Sequence, residues 1–227
     1  MRGLGVRRAI AGWRRADTLE TGTLIQASVA LHYQPKLLSI WTRKWVCIMA
    51  QHQPRPPFVK HYTEIQQPDN SCYSGTDELL SIGSPFGRIF GLQRLGIHHE
   101  LLPPGRRTSY PHAESMEEEF VYVIEGNPDA WIDGYLHRLE PGDGVGFPAG
   151  TGICHTFINN TDRDVRLLVV GEASRPDNRI YYPLNPERRP LREDWWDDVP
   201  QRSRGPHDGH PDDPRGRTVT DSPRQEN

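Results

Sequence analysis

Sixteen residues, PHAESMEEEFVYVIEG from Pro111 to Gly126, set one histidine and five glutamates around an alternating apolar run. Imidazoles and carboxylates hold divalent cations and move protons, but a run of glutamates is also what a solvated surface looks like. Spacing separates the two uses. On a strand, residues two apart share a face, so His112 and Glu114 point together, and Glu119 points with Val121 and Val123. The step from Glu114 to Glu119 reverses the face of an unbroken strand. A turn or bulge around Ser115–Glu118 restores it, with Glu114 and Glu119 turned inward and Glu117 and Glu118 left in solvent. A further histidine, His155, begins a later strand with Phe157 and Asn159 on its own face.

The elements that must hold these side chains are short. GRIFGLQRLGIHHELL supplies one or two strands, FVYVIE another, and AWI and YLHRL flank Asp133-Gly134, a two-residue loop suited to a type I′ hairpin. GVGF, HTFI and VRLLVVGEA follow, separated by EPGD, PAGTG and NNTDRD. Many short strands punctuated by glycine and proline indicate an all-β sandwich or barrel. FVYVI and LLVV are apolar on both faces, which calls for a second layer or a partner subunit on the outside.

The whole chain has 227 residues, and its formal charge of −3 lacks the basic excess that nucleic-acid binding needs. Apolar residues make up 35%, and Pro and Gly contribute 21 each, the balance of a turn-rich β domain diluted by disordered ends. Cys47, Cys72 and Cys154 form no CxxC pair, so neither a disulfide framework nor a thiolate zinc site is indicated and a reducing, cytoplasmic setting fits. No apolar run is long enough to span a membrane. Residues 1–48 are a basic extension, resembling a transit peptide or the translation of sequence upstream of a start at Met49. Residues 49–84 lead in, 85–183 form the β-barrel, 184–200 form an arm docked through Trp195 and Trp196, and 201–227 read as a disordered tail.

With these residues in place, a family pattern is visible. His112, Glu114, Glu119 and Gly126 fall on the first motif of the cupin superfamily, in which two histidines one residue apart precede a glutamate and then a glycine. Gly142, Pro148, Gly150, His155 and Asn159 resemble the second motif. The resemblance runs from about Gly91 to Ala173 and implies a small jelly-roll barrel with a metal ion inside. Two departures stand out. Glu114 replaces the second histidine of the first motif, and the loop between Gly150 and His155 is two residues longer than the common pattern.

The chemistry of the matched residues agrees with a metal. Two imidazoles and a carboxylate, here His112, His155 and Glu119, form a set used by non-haem iron(II), with open positions for substrate or oxygen. Adding Glu114 gives two nitrogens and two carboxylate oxygens. That favours manganese or iron, with zinc or nickel as alternatives, over copper(I). Glu114 has a second use, as hydrogen-bond partner of a metal-bound water. Asn159 reads as a strand-end cap, Cys154 as a thiol facing away from His155, and at most one of His98 and His99 faces inward. Arg106, Arg107 and Tyr110 precede the first motif and are candidates for binding an anionic substrate at the barrel mouth. Cupins include isomerases, lyases, dioxygenases, sensing modules and metal-free storage proteins, so the fold leaves the activity open. The expectation is a metal-binding domain for a small polar metabolite, as an enzyme or as a non-catalytic binding or structural module. It is expected to be a homodimer, with no nucleic-acid or membrane partner.

Overall fold

The computed structural model describes residues 54–212. The basic extension 1–48, with Cys47, and residues 213–227 of the tail lie outside the described residues. Among the described residues no helix is long and apolar enough to cross a membrane.

The strands are β1 (Ile82–Ser84), β2 (Leu95–Leu102), β3 (Ala113–Glu114), β4 (Glu119–Glu125), β5 (Asp129–Ile132), β6 (Tyr135–Arg138), β7 (Gly144–Phe147), β8 (His155–Ile158), β9 (Val165–Glu172) and β10 (Ile180–Tyr181). One wall is a five-stranded sheet in the order β1-β2-β9-β4-β7. The facing wall is β6-β5-β8, and isolated antiparallel bridges at Arg107–Ile158 and His112–His155 attach the chain before β3 to its free edge. The pair β10-β3 continues that wall. GRIF does not join β2. Phe86–Ile89 is a single helical turn, α1, because Gly87 lies against the β2 backbone, where a Cβ would come within 2.7 Å of the Leu95 carbonyl oxygen.

Alternation decides which side chains meet. Leu102 on β2, Val121 and Val123 on β4, Phe147 on β7 and Val165 and Leu167 on β9 point at Ala130 and Phe157 from the facing wall, and all are buried. Each large apolar side chain in such a core contributes about 1.5–3 kcal/mol of transfer free energy. The β5–β6 connection is the two-residue hairpin expected, with Asp133 at φ 46° and Gly134 at φ 88°, the left-handed pair that a type I′ turn requires.

The outer side of the second wall is covered by the C-terminal arm. Trp196 and Val199 pack with Trp131, Ala113, Cys154 and Ile158 into a second apolar cluster. The covering continues further than composition suggests. Residues 201–212, read as disordered, are held in place. Gly205 N–H donates to the Asp133 carbonyl at 2.7 Å, Arg202 pairs with Asp133 at 2.6 Å, and Trp131 Nε1 donates to the His207 carbonyl at 3.0 Å. The anchors are hydrogen bonds to backbone carbonyls and one ion pair, and a hydropathy pattern carries no trace of them.

Arg107 is the deepest of these anchors and corrects a sequence expectation. It does not line a mouth. Only 2% exposed, it forms a bidentate pair with Glu78 at 2.7 and 2.7 Å, and Nη1 donates to the Gly209 carbonyl at 2.7 Å. Tyr110 is likewise buried, stacked on Tyr73 at 4.0 Å beneath the Arg107 guanidinium. Arg106 is paired with Asp69. Arg107→Ala is therefore predicted to destabilise the protein by about 3–5 kcal/mol, the usual cost of breaking a buried ion pair. Removing residues 208–227, which takes away the Gly209 acceptor but leaves the Arg107–Glu78 pair in place, is predicted to cost less. Urea unfolding of the three proteins checks the order.

Candidate functional site

The site begins with a strand pairing. His112 and His155 oppose each other in a narrow antiparallel pair, with His112 N–H donating to the His155 carbonyl at 3.1 Å and His155 N–H returning to the His112 carbonyl at 2.9 Å. Directly opposed residues project from the same face, and the two rings stand 5.1 Å apart. Glu114, two residues on, keeps that face. The chain then breaks at Ser115–Glu118, where a turn or bulge was expected. The break carries it from the second wall to the first, so Glu119 enters from the opposite side of the barrel. Its Oε1 lies 3.2 Å from His155 Nε2.

Both imidazoles are oriented from behind. His112 Nδ1 lies 2.8 Å from the Tyr110 carbonyl oxygen, and His155 Nδ1 lies 3.4 Å from that of Ile153. A carbonyl only accepts, so each Nδ1 carries a proton; the Nε2 of His112 keeps its lone pair, and that of His155 shares a proton with the Glu119 carboxylate in the metal-free protein. Phe147 lies flat on the His155 ring, with centroids 3.5 Å apart and planes 5° from parallel, and prevents it from turning.

A second group of carboxylates lines the same small cavity. Glu114, Glu117 and Glu119 border it with His155, Phe147 and Thr151. Glu117 is thus not a solvated loop residue, as the spacing suggested. It is half-buried, and its carboxylate accepts the Arg175 N–H at 2.6 Å. Glu118 alone is exposed. Burial, then the negative charges of Glu117 and Glu119, push the Glu114 carboxyl up to about 8. Burial, then the neighbouring His155, push His112 down to about 4. Burial also opposes the charge on Glu119, but the hydrogen bond and charge of His155 and the charge of His112 outweigh it and hold its pKa below the ordinary value.

The remaining candidates fall into place around this centre. His98 shares the inward face of β2 with Glu100 and the core residue Leu102, and its Nδ1 lies 3.7 Å from the Glu100 carboxylate. His99 faces outward and is buried under Tyr62, stacked at 4.1 Å. Cys154 packs in the second cluster, where burial pushes its thiol up to about 12. Asn159 acts as the cap expected of it. Its amide donates to the Leu102 and Arg163 carbonyls, and its oxygen accepts from Thr161. Two participants escaped sequence reasoning. The parity of Phe147 along GVGF was readable, although the ring it covers was not. Asn178, which bonds Glu114, Ser115 and Met116, lies 64 residues from Glu114 by subtraction, with no local signal.

Among the described residues, no three His, Cys, Asp or Glu side chains stand ready-made as a metal cluster. His112, Glu119 and His155 nevertheless suit one chemically. The lone pair of His155 Nε2 faces a carboxylate oxygen, an arrangement that only a proton or a cation between them makes attractive. Backbone carbonyls hold both rings by Nδ1, the usual support behind metal-bound histidines. The position of Glu114, crowded by two like charges, is one a dication would relieve.

An antiparallel jelly roll with histidines and carboxylates gathered inside it defines a small barrel protein of the cupin type. The comparisons agree: residues 98–171 match the family described as a cupin domain, so the chain carries a cupin domain over that segment. No curated protein sequence matches it. Among solved structures, it is similar to a sugar phosphate isomerase of the cupin superfamily from Silicibacter pomeroyi. That match is 35% identical, covers 45% of this chain and 64% of that one, and has a TM-score of 0.43. A protein from Acidithiobacillus ferrooxidans, provisionally named a sugar phosphate isomerase, is 26% identical over 56% of this chain and 81% of that one, at a TM-score of 0.50. A polyketide cyclase from Streptomyces resistomycificus is 22% identical over 53% and 82%, at 0.45. The chain spans less than two thirds of the Silicibacter protein.

The raised Glu114 has a measurable consequence in metal-free protein. The folded state holds its proton more tightly than the unfolded chain, whose ordinary value is 4.5. This contribution to stability is complete below about pH 4.5 and is lost as pH rises through about 8. His112, lowered from 6.5, acts in the opposite sense and only below that pH. Between pH 6.5 and 8, therefore, the Glu114 slope stands alone of the two. Glu114→Gln is predicted to flatten it, leaving the chelator-treated variant more stable than wild type at pH 8 by as much as a few kcal/mol. The two should converge toward pH 6.5, as urea unfolding at both pH values will show.

Proposed function

We propose that this chain is a metal-dependent cupin that acts on a small polar metabolite, in an isomerase or lyase reaction at a carbon beside a carbonyl. The observation that carries the reading is the convergence of His112 and His155, each fixed through Nδ1 to a backbone carbonyl, on the Glu119 carboxylate. His112, Glu119 and His155 would hold the ion, with Glu114 as a fourth donor. Manganese or iron suits two nitrogens and two oxygens best, and zinc or nickel is also accommodated. Bound there, a divalent ion supplies a Lewis acid that polarises a carbonyl or carboxylate oxygen of the substrate.

The chain's own residues supply the rest. Tyr110 and Ile153, through their carbonyls, keep both imidazoles in one tautomer. Phe147 covers one face of His155 and excludes water from it. Glu117 lines the same cavity beside Glu114, and is the carboxylate that would take a proton while Glu114 serves the ion. The Acidithiobacillus protein is consistent with a phosphorylated sugar as substrate class. A barrel interior that excludes water suits a proton transfer of that kind, because stray protonation from solvent is limited.

Metal titration tests this reading first. Wild type is predicted to bind one manganese ion per chain. His155→Ala should lose binding, Glu114→Ala should weaken it by about 10–100-fold, and the exposed Glu118→Ala should match wild type. Isothermal titration with manganese and with zinc measures all four. Absence of binding in wild type defeats the proposal and leaves a binding or structural cupin. With binding established, exchange of substrate protons with deuterium, followed by NMR on aldose phosphates, reports the isomerase step.

A further inference from the structure

Arg106 and Arg107 are committed to Asp69 and Glu78. The arm after the barrel brings a further guanidinium to the same region. Arg188 lies in the short 3-10 turn Pro186–Leu191, and its Cζ stands 4.7, 5.5 and 5.8 Å from the ring centroids of Tyr73, Tyr110 and Tyr182. Ring faces attract the cation, but they give its N–H groups no oxygen to bond. The Arg188 Nε is buried and has no hydrogen-bond partner. A desolvated donor on a permanent cation is costly when it lacks an acceptor. Its neighbours in the cluster differ. Arg107, 4.6 Å over the Tyr110 ring, is neutralised by Glu78, and Arg192, 5.3 Å over the Tyr182 ring, by Asp194. Among the described residues, Arg188 has no such carboxylate.

The phenols add donors. The Tyr73 oxygen accepts the Tyr110 N–H at 3.3 Å, the Tyr182 oxygen accepts Arg192 Nη1 at 3.3 Å, and the two hydroxyls are hydrogen-bonded to each other. Two phenolic protons meet in one shared bond, so one of them has no acceptor within the pair. Around Tyr182 the chain therefore gathers the Arg188 Nε–H, a phenolic O–H and Arg192 Nη1. Arg188 and Arg192 are both half-buried, so a ligand reaches them from solvent. The cluster also adjoins the candidate metal site. The Tyr182 ring stands 5.9 Å from that of His112, and the charge of Arg192 is felt at His112 and at Glu114. Arg188 and His112 thus neighbour one and the same ring, a separation that a small phosphorylated sugar spans.

We propose that Arg188, with the Tyr73–Tyr182 hydroxyl pair and Arg192 beside it, forms a phosphate subsite next to the metal site, and that it holds the phosphate monoester of the substrate. The set offers donors and positive charge. Its phenolic oxygens already accept N–H groups, so a cation or a neutral hydroxyl finds little to bind. A phosphate group presents three acceptor oxygens and nearly two negative charges, which matches several converging donors better than a carboxylate does. Guanidinium is the side chain whose geometry fits such an anion. Of these residues only Tyr110, whose ring supports Arg188, lies in the segment 98–171 that matches the cupin domain. Tyr73 comes from the lead-in and Tyr182, Arg188 and Arg192 from the chain after the barrel, so the subsite is built by what this chain adds to the domain. Its role in turnover rests on the function proposed above, but binding of the anion requires no metal.

Isothermal titration of the chelator-treated full chain with inorganic phosphate tests the subsite apart from the ion. Wild type is predicted to bind phosphate, and to bind it more tightly than acetate. Arg188→Gln should weaken phosphate binding by about 10–100-fold, the worth of a hydrogen bond to a charged group. Arg188→Lys keeps the charge over the rings but loses the fork, and should weaken it by less. Arg189→Gln, at an exposed arginine paired with Asp197, should match wild type. Thermal melts confirm that each variant is folded, and Arg188→Lys carries the comparison if Arg188→Gln does not fold. The manganese affinity of Arg188→Gln should remain that of wild type, because no metal donor is touched. A chain that binds phosphate but no manganese defeats the metal reading and upholds this one. Absence of phosphate binding in wild type overturns the proposal. So does phosphate binding unchanged in the Arg188 variants, or acetate bound as tightly as phosphate.

Discussion

The contact between His155 and Glu119 joins the two walls by a polar bridge of 3.2 Å inside the barrel, above the apolar cluster of its core. A bridge of that kind constrains everything near it. A buried carboxylate without a partner is expensive, and a buried imidazole must commit each nitrogen. The carbonyls of Tyr110 and Ile153 commit the Nδ1 atoms, Phe147 fixes the plane of His155, and the narrow pairing of His112 with His155 fixes their spacing. The site is rigid because it rests on sheet backbone, and its freedom is limited to the few atoms that face the cavity.

That rigidity is not cheap electrostatically. Glu114, Glu117 and Glu119 share one cavity, and the displaced titration of Glu114 and His112 records the strain of placing them there. Like charges brought together in a small protein interior are commonly a site prepared for a counter-charge. A dication supplies it directly. The same grouping explains why a glutamate can stand at the position that the family pattern gives to histidine. It keeps an oxygen donor on the correct face and adds negative charge, which favours a harder ion.

Among the described residues, the C-terminal arm covers the outer side of the second wall. The second wall is closed by the arm through Trp196 and by a tail whose hold is mostly polar, with Arg107 reaching the Gly209 carbonyl and Trp131 reaching that of His207. Arg107 thereby ties the lead-in, through Glu78, to the tail across the second wall. An arginine ahead of a metal motif looks like a substrate clamp in sequence. Whether its five donors face outward or inward depends on a glutamate 29 residues earlier and a carbonyl 102 residues later, and neither is visible locally.

The sequence by itself determined the parts of this protein that follow from period and turn chemistry. The strands read as FVYVIE, GVGF, HTFI and VRLLVVGE, the Asp133-Gly134 hairpin, the inward faces of His112, Glu114 and Glu119, and the outward Cys154 all follow from a two-residue alternation and left-handed turns. So did the double-sided apolar character of β4. Tertiary structure alone decided the rest, because it depends on contacts between residues far apart in the chain. It placed Glu119 on the wall opposite His112 by a crossing that the five-residue gap only hinted at. It drew Glu117 into the cavity by way of the Arg175 amide, buried Arg107 and Tyr110, and seated residues 201–212 through backbone hydrogen bonds. Alternation reports which way a side chain points, but only packing reports what it meets there.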